Sequence, residues 1–437
     1  MADNTTPQDV THIKKLVLKK ITPDEKEKQK LWALFNHIKT LIEKHDSQHL
    51  IKRIELVGSV AKNTFLKGEG DLDIFMFFDT SLSKEDLEKY GLEIGKKVFE
   101  ELRVKYVIKY AEHPYVKAKV QGIKVEIVPA YALDYIDKVV SAVDRTPFHK
   151  AYIQQHLRNH EEVLLLKKFM KACGVYGSEL AVKGFSGYAT ELLIIKYGSF
   201  ENVLKHALNW RIKEILCLNR CNKKKVLERF KDSVFIIVDP VDPNRNVTAV
   251  VSEKALMMFK ICAYKFLKYP SSAYFEIKEV EWDAIKHYLD KLNRHYFMIK
   301  FKNVSEDIED VIVPQLEKFK KLLEYEYEHY DFKVVRSFPY FCEKHYGLYF
   351  EFDSSTFSSY RVVKGPDVKA NFKRIQGFLD KYQEIWVDDK GRLHANVKRH
   401  YALPEHLIRE MKNYDFQQLR ERGIPKNIAK AFHTLQI

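Results

Sequence analysis

Gly58-Ser59-Val60-Ala61-Lys62-Asn63-Thr64-Phe65-Leu66-Lys67-Gly68, followed after two residues by Asp71-Leu72-Asp73, is the stretch that decides the reading. It joins two apolar, β-rich runs, RIELVG at 53–58 and DLDIFMFF at 71–78. A strand ending in Gly-Ser makes a turn where the missing side chain lets backbone amides face a phosphate. Ser59 adds a hydroxyl donor and Lys62 a positive charge. Asp71 and Asp73 stand two apart on a strand and so project from one face. Carboxylates placed this way bridge hard cations such as Mg²⁺, which take oxygen ligands and phosphate partners. In a two-metal site one ion activates an attacking hydroxyl and the other steadies a leaving pyrophosphate. A third carboxylate from a neighbouring strand completes such a site. Glu126, the one acid in the apolar run IKVEIVP at 123–129, is the candidate, because an acid there is costly unless paired or metal-bound. Asp-x-Asp alone is common on a solvated strand face; the Gly-Ser turn and the isolated Glu126 give it weight. The chain holds no G-x-x-x-x-G-K-[ST], H-E-x-x-H or G-x-S-x-G string, which removes the Walker-type, zinc-protease and serine-hydrolase readings.

Working outward, residues 22–45 read as a helix with Thr22 as cap, Pro23 in the first turn and Asp24 and Glu25 at its positive end. A helix at 83–102 and a strand at 104–110 complete an α+β domain over 1–140. From 141 to 268 the pattern is mainly helical: EEVLLLKKFMKACG stops at Gly174, GFSGYATELLIIKYGSF is a loop entering a buried helix, and VFIIVDPVDPNRNVT is a short strand running into a turn. A body domain over 269–363 includes a strand at 297–301 and a long charged helix at 314–330. The stretch 364–437 is a basic tail.

At 437 residues the chain is too long for one core. Lys and Arg exceed Asp and Glu by 74 − 60 = 14, which suits a polyanionic partner. No run of about twenty apolar residues exists, so no membrane span is expected. The polar N-terminus and five scattered cysteines point to a cytoplasmic protein without a secreted disulfide framework. Cys217 and Cys221 lack a nearby second Cys/His pair, which argues against zinc.

GSVAKNTFLKGEGDLDIF resembles the signature of the polymerase-β-like nucleotidyltransferases, and AEHPYVKAKVQGIKVEIVPAY, SAVDRTPFH, KGFSGYATELL and VVDPVDPNRNV extend the resemblance to the archaeal, class I CCA-adding enzymes over about 55–260. The first motif is shared with poly(A) polymerases and oligoadenylate synthetases; SAVDRTPFH and GFSGY favour the tRNA enzyme. The resemblance implies an α+β multidomain fold: a polymerase-β-like palm of mixed sheet and helices, a helical central domain, an α/β body and the basic tail. It implies two Mg²⁺ ions on Asp71, Asp73 and Glu126, and addition of the 3′-terminal CCA to tRNA from CTP and ATP without a template. The family's third ligand is usually Asp. Glu126 is a departure whose extra methylene shifts the carboxylate by about 1.5 Å.

By the same resemblance, Gly58, Ser59, Lys62, Thr146, His149, Lys167 and Tyr176 hold the triphosphate and sugar, and Arg245 helps choose the base with its planar fork of donors. Glu112 and His113 face the RNA 3′ end. KANFKR (369–374) and KRHY (398–401) meet acceptor-stem phosphates. Lys167, among Leu164, Leu165 and Leu166, is expected to emerge at the edge of its helix, while Asp239 and Asp242 shape the turn around Arg245. The resemblance admits a homodimer. The rival readings are a poly(A) polymerase or oligoadenylate synthetase, which would accept only ATP, and a non-catalytic RNA-binding protein that keeps the fold.

Overall fold

The computed structural model describes residues 9–109, 113–133, 143–277, 282–304, 309–342 and 344–437. The chain divides into two compact units, Met1–Lys278 and Glu279–Ile437. Among the described residues no helix is long and apolar enough to cross a membrane.

The first unit opens with a helix the sequence reading did not anticipate, α1 (Val10–Ile21). Its Ile13, Val17 and Ile21 enter the core of the helical region that lies more than a hundred residues later. Next comes α2 (Glu25–His45), capped by Asp24, whose carboxylate accepts from the Glu27 amide at 2.9 Å. Thr22 instead closes α1. The expected cap was therefore two residues early: both residue types cap well, and α1 uses the space before Pro23.

Strand β1 (Ile51–Val57) leads into a single helical turn, α3 (Gly58–Ala61), and then β2 (Leu72–Phe78). After α4 (Lys84–Glu101) come β3 (Tyr106–Lys109), β4 (Tyr115–Val120) and β5 (Ile123–Tyr131). The five strands order as β1-β2-β5-β4-β3, with β2 and β5 parallel and their neighbours antiparallel. Strand β4 escaped the sequence reading because YVKAKV alternates lysine with apolar residues and lacks a bulky run. Helices α2 and α4 cover one face of the sheet. Glycine lets α4 lie close: a Cβ at Gly95 would sit 2.3 Å from Val116 Cγ2, and one at Gly91 2.5 Å from Pro129 Cβ.

The central region holds α5 (Thr146–His156), α6 (His160–Ala172), α7 (Gly187–Tyr197), α8 (Phe200–Ala207), β6 (Glu214–Leu216), α9 (Lys223–Arg229), β7 (Phe235–Ile237) and α10 (Glu253–Lys268). Gly174, at φ +68°, follows α6 as a helix stop requires. Strands β6 and β7 pair in parallel. A disulfide joins Cys217 to Cys221 in the loop after β6.

In the second unit, α11 (Trp282–Lys291), β8 (Tyr296–Lys302), α12 (Glu309–His329), β9 (Val334–Phe341) and β10 (His345–Phe352) build a three-stranded sheet, β8-β10-β9, with α12 packed on it. Helix α12 begins five residues before the expected Pro314, which the helix carries near its start. A second sheet, β11-β13-β12, comprises β11 (Tyr360–Asp367), β12 (Ile385–Val387) and β13 (Arg392–Lys398), with α13 (Phe372–Lys381) between β11 and β12 in the chain. The final helices α14 (Glu405–Met411), α15 (Phe416–Glu421) and α16 (Lys426–Ala431) return to the first sheet. The stretch from 364 onward is thus split: its first part forms the second sheet, while Tyr401, Leu407, Ile428 and Phe432 join the core of β8-β10-β9.

Filling the α4 contact is expected to cost stability: Gly95→Ala should destabilise the five-stranded sheet by about 1–3 kcal/mol, the usual penalty for overpacking. Faster amide hydrogen exchange in α4 and β4 is the readout, and unchanged exchange would show that the contact is not tight.

Candidate active site

The approach of β1 to β2 sets the geometry. Val57 pairs with Asp73, so the chain turns at Gly58 directly beside the Asp73 carboxylate. A Cβ at Gly58 would lie 1.9 Å from Asp73 Oδ2, and Gly58 has φ +71°. Only glycine satisfies both conditions. The turn is closed by the Thr64 amide, which donates to the Ser59 carbonyl at 2.9 Å. Parallel pairing of β2 with β5 then sets Asp73 opposite Glu126.

Burial, reinforced by Glu126 and Asp71, raises the Asp73 carboxyl to about 7. Burial also raises Asp71, against the opposing charges of Lys124 and Lys117. Two strand lysines answer the crowded acids: Lys117 donates to Glu126 Oε1 at 2.6 Å, and Lys124 Nζ lies 3.8 Å from Asp71 Oδ2. Both lysines went unread in the sequence, although their alternation on β4 and β5 puts them beside the acids. With Glu126 drawn toward Lys117 and Asp71 toward Lys124, no three ligating side chains among the described residues converge as a preformed cage.

Beside the acids lies a cavity of about 670 Å³ lined by Ser59, Asp71, Lys124, Lys167, Lys171 and Tyr176, among others. Lys167 does not emerge at the helix edge as expected. It is 4% exposed, and its ammonium donates to the Thr64 carbonyl at 2.5 Å. Burial lowers its pKa to about 8. Lys171, one turn on, pairs with Glu69 and, like Lys167, lies over the Tyr176 ring. Lys62 donates to Glu191 Oε2 at 2.5 Å.

A second cluster gathers around Asp239, which is fully buried. Its carboxylate accepts from the Val241 amide at 3.0 Å, the Tyr188 hydroxyl at 3.1 Å and Arg245 Nη1 at 3.0 Å, and lies 2.8 Å from His149 Nε2. Burial pushes this carboxyl up, but the His149 contact and the other donors outweigh it and hold it at about 2. His149 also stacks on Tyr188 with ring centres 4.0 Å apart. Arg145 Nε donates to Asp242 at 2.9 Å. Asp239 and Asp242, read as turn formers, thus hold the arginines and His149 of this region. Thr146 begins α5, one turn before His149.

Not every expected residue joins these clusters. Glu112 lies outside the described residues. His113 is 1% exposed, edge-on to Tyr131 and 3.8 Å from Glu88, so it does not present itself to an RNA end. In the second unit, Lys369 and Arg374 of KANFKR line a cavity of about 760 Å³ together with Lys364, Lys381 and Arg392. KRHY behaves differently from the expectation. Arg399 is committed to the Tyr330 and Ser358 carbonyls and to Asp331, and Tyr401 is buried. These two are held by the protein interior and are not available to phosphates.

The family model for the nucleotidyltransferase domain matches residues 38–153, that for the second domain of tRNA nucleotidyltransferase matches 161–276, and that for the C-terminal domain of the CCA-adding enzyme matches 293–434. Sheet and site thus define a nucleotidyltransferase of the polymerase-β-like class. Among similar proteins, the CCA-adding enzyme of Methanocaldococcus jannaschii is 36% identical, over 96% of this chain and 94% of its own. That of Saccharolobus solfataricus is 35% identical, over 94% and 92%. That of Methanopyrus kandleri is 31% identical, over 95% and 89%. The chain belongs to the CCA-adding enzyme family. A structure of the Cid1 poly(U) polymerase shares the fold at a TM-score of 0.51 with 14% identity, covering 62% of this chain and 99% of that one.

Enzymes of this family use divalent metal. The residues present fit one: Asp71, Asp73 and Glu126 offer only hard oxygen donors, and the raised Asp73 carboxyl marks a position where negative charge is crowded and a cation would relieve it.

Gly58→Ala is expected to leave the fold intact and lower turnover by on the order of 10²-fold, since it displaces the Asp73 carboxylate from its place. Single-turnover assays read the rate and circular dichroism the fold; wild-type turnover would show that Asp73 tolerates displacement.

Proposed function

We propose that this chain builds the 3′-terminal CCA of tRNA from CTP and ATP, the tRNA 3′-hydroxyl attacking the α-phosphate and pyrophosphate leaving. The observation that carries the reading is the pairing of Asp73 with Glu126 across parallel strands, beside a glycine turn and a lysine-lined cavity. Two Mg²⁺ ions held by Asp71, Asp73 and Glu126 would supply activation of the hydroxyl and neutralisation of charge on the leaving group.

The rest is the work of the side chains themselves. Ser59, Lys62, Lys167 and Tyr176 hold the triphosphate and sugar beside the Gly58 turn, with Lys171 close by. Catalysis of this kind is positioning and electrostatics, with no covalent enzyme intermediate. Asp239 fixes Arg245 and His149, and Arg245 has donors beyond its bond to Asp239 with which to read a base edge. A guanidinium fixed by the protein lets one site choose C or A without a nucleic-acid template. The Lys369–Arg374 segment, with Lys364 and Lys381, supplies phosphate contacts that orient the tRNA. We assign functional roles to four segments: 1–140 to catalysis, 141–268 to nucleotide selection, and the body and tail beyond to the RNA.

Incubation with a tRNA lacking its last three nucleotides should give CMP incorporation from labelled CTP, followed by AMP from ATP. Incorporation of AMP alone would favour the poly(A) polymerase reading. Asp73→Ala should abolish both additions while tRNA binding persists; unchanged addition would remove Asp73 from the site.

A further inference from the structure

Glu191 lies on α7 in the motif GFSGYATELL, which sequence reading treats as an apolar helix entering the core. It is 1% exposed and makes two short bonds to one turn of another region. Its Oε2 accepts from Lys62 Nζ at 2.5 Å, and its Oε1 accepts from Thr64 Oγ1 at 2.6 Å. Thr64 is fully buried, and its carbonyl is the acceptor for Lys167 Nζ. One carboxylate on α7 therefore closes a chain that runs from Lys62 through Thr64 to Lys167, directly after the Gly58-Ser59 turn.

A buried acid is costly unless its lone pairs are filled and its charge is met. Both conditions hold here: Lys62 meets the charge directly, and Thr64, the second donor, offers its carbonyl to Lys167, which lines the cavity beside the acids.

We infer that Glu191 is a positioning residue for nucleotide binding: it aims Lys62 at the triphosphate directly, and Lys167 through Thr64. The inference rests on the assignment of Lys62 and Lys167 to the triphosphate. The charges about Lys167 support it. Lys62 from the turn and Lys171 from its own helix oppose the Lys167 charge, while Glu191 from α7 and Glu69 from the loop after the turn favour it; the Tyr176 ring faces it as well. Burial already holds Lys167 at about 8. Removing the Glu191 charge lowers it further, so the lysine loses its proton, and its hold on phosphate, at a lower pH.

The test uses the full-length enzyme, a tRNA lacking CCA, and CTP or ATP varied from pH 6 to 9. Lys62→Ala should raise KM for both nucleotides. Glu191→Gln, with the lysines intact, should raise KM for both by about tenfold, the scale of a lost charge-assisted bond, with a smaller fall in kcat. It should also move the alkaline loss of kcat/KM to lower pH. Glu191→Asp should fall between Glu191→Gln and wild type, and it carries the test if Glu191→Gln does not fold. The double variant Lys62→Ala/Glu191→Gln should raise KM less than the product of the single effects, because both changes act on one contact. If Lys62→Ala leaves KM unchanged, the triphosphate assignment fails and the inference with it. If Lys62→Ala raises KM but the Glu191 variants lower only the melting temperature, with KM and pH profile as in wild type, Glu191 is a structural tie and the inference alone is overturned. Independent, multiplicative effects of the two changes would overturn it as well.

Discussion

Carboxylates on adjacent paired strands repel one another, and the N-terminal unit is arranged around that repulsion. Asp73 faces Glu126 across β2 and β5, with Asp71 two residues away on the same side. The sheet answers with lysines at the neighbouring positions of β4 and β5: Lys117, in register with Glu126, and Lys124 near Asp71. Neither pairs with Asp73, and burial with the charges of Glu126 and Asp71 outweighs the pull of Lys62 and Lys117, so its carboxyl stays raised. The strand order β1-β2-β5-β4-β3 is therefore also an order of charge. The most crowded acid sits on β2, beside the turn at Gly58 where a side chain would collide with it.

That collision makes Gly58 a joint as well as a turn. Because the backbone passes so close to Asp73, the residues that follow are directed away from the acids and toward α6 and α7, where Lys167 and Glu191 receive them. The cavity beside the acids is thus walled on one side by the sheet and on the other by helices that come a hundred residues later. Helix α1 strengthens the same junction. It packs in the helical core, and its last carbonyl, on Ile21, accepts from the Lys67 amide in the loop that carries the motif. The turn at residues 58–64 and the helices of the central region are held together by these bonds.

Much of this was legible in the sequence, for reasons that differ from residue to residue. Gly58, Asp71 and Asp73 were readable because glycine and strand alternation impose geometry locally. Glu126 was readable as an acid out of place in an apolar run. Strand β4 and helix α1 were missed because their lysines dilute the apolar pattern that signals an element. Burial of Lys167 and the roles of Glu191 and Tyr188 depend on contacts between distant segments, and no local pattern encodes those. Arg399 shows the same limit in reverse: a basic run reads as a phosphate surface until the fold turns its guanidinium onto backbone carbonyls.

The Asp239 cluster follows the same economy as the Asp73 one, with the signs exchanged. At Asp73 acids gather and a cation is wanted; at Asp239 one buried acid gathers donors from α5, α7 and its own loop. A carboxylate held at about 2 remains charged throughout the working pH range, so Arg245 does not lose its anchor as conditions change. The stacked rings of His149 and Tyr188 limit how far the cluster can shift. A planar fork fixed at one end and partly exposed at the other presents donors in a set plane. On the proposed reading, those donors are what a base edge would meet, in an orientation set by a buried charge.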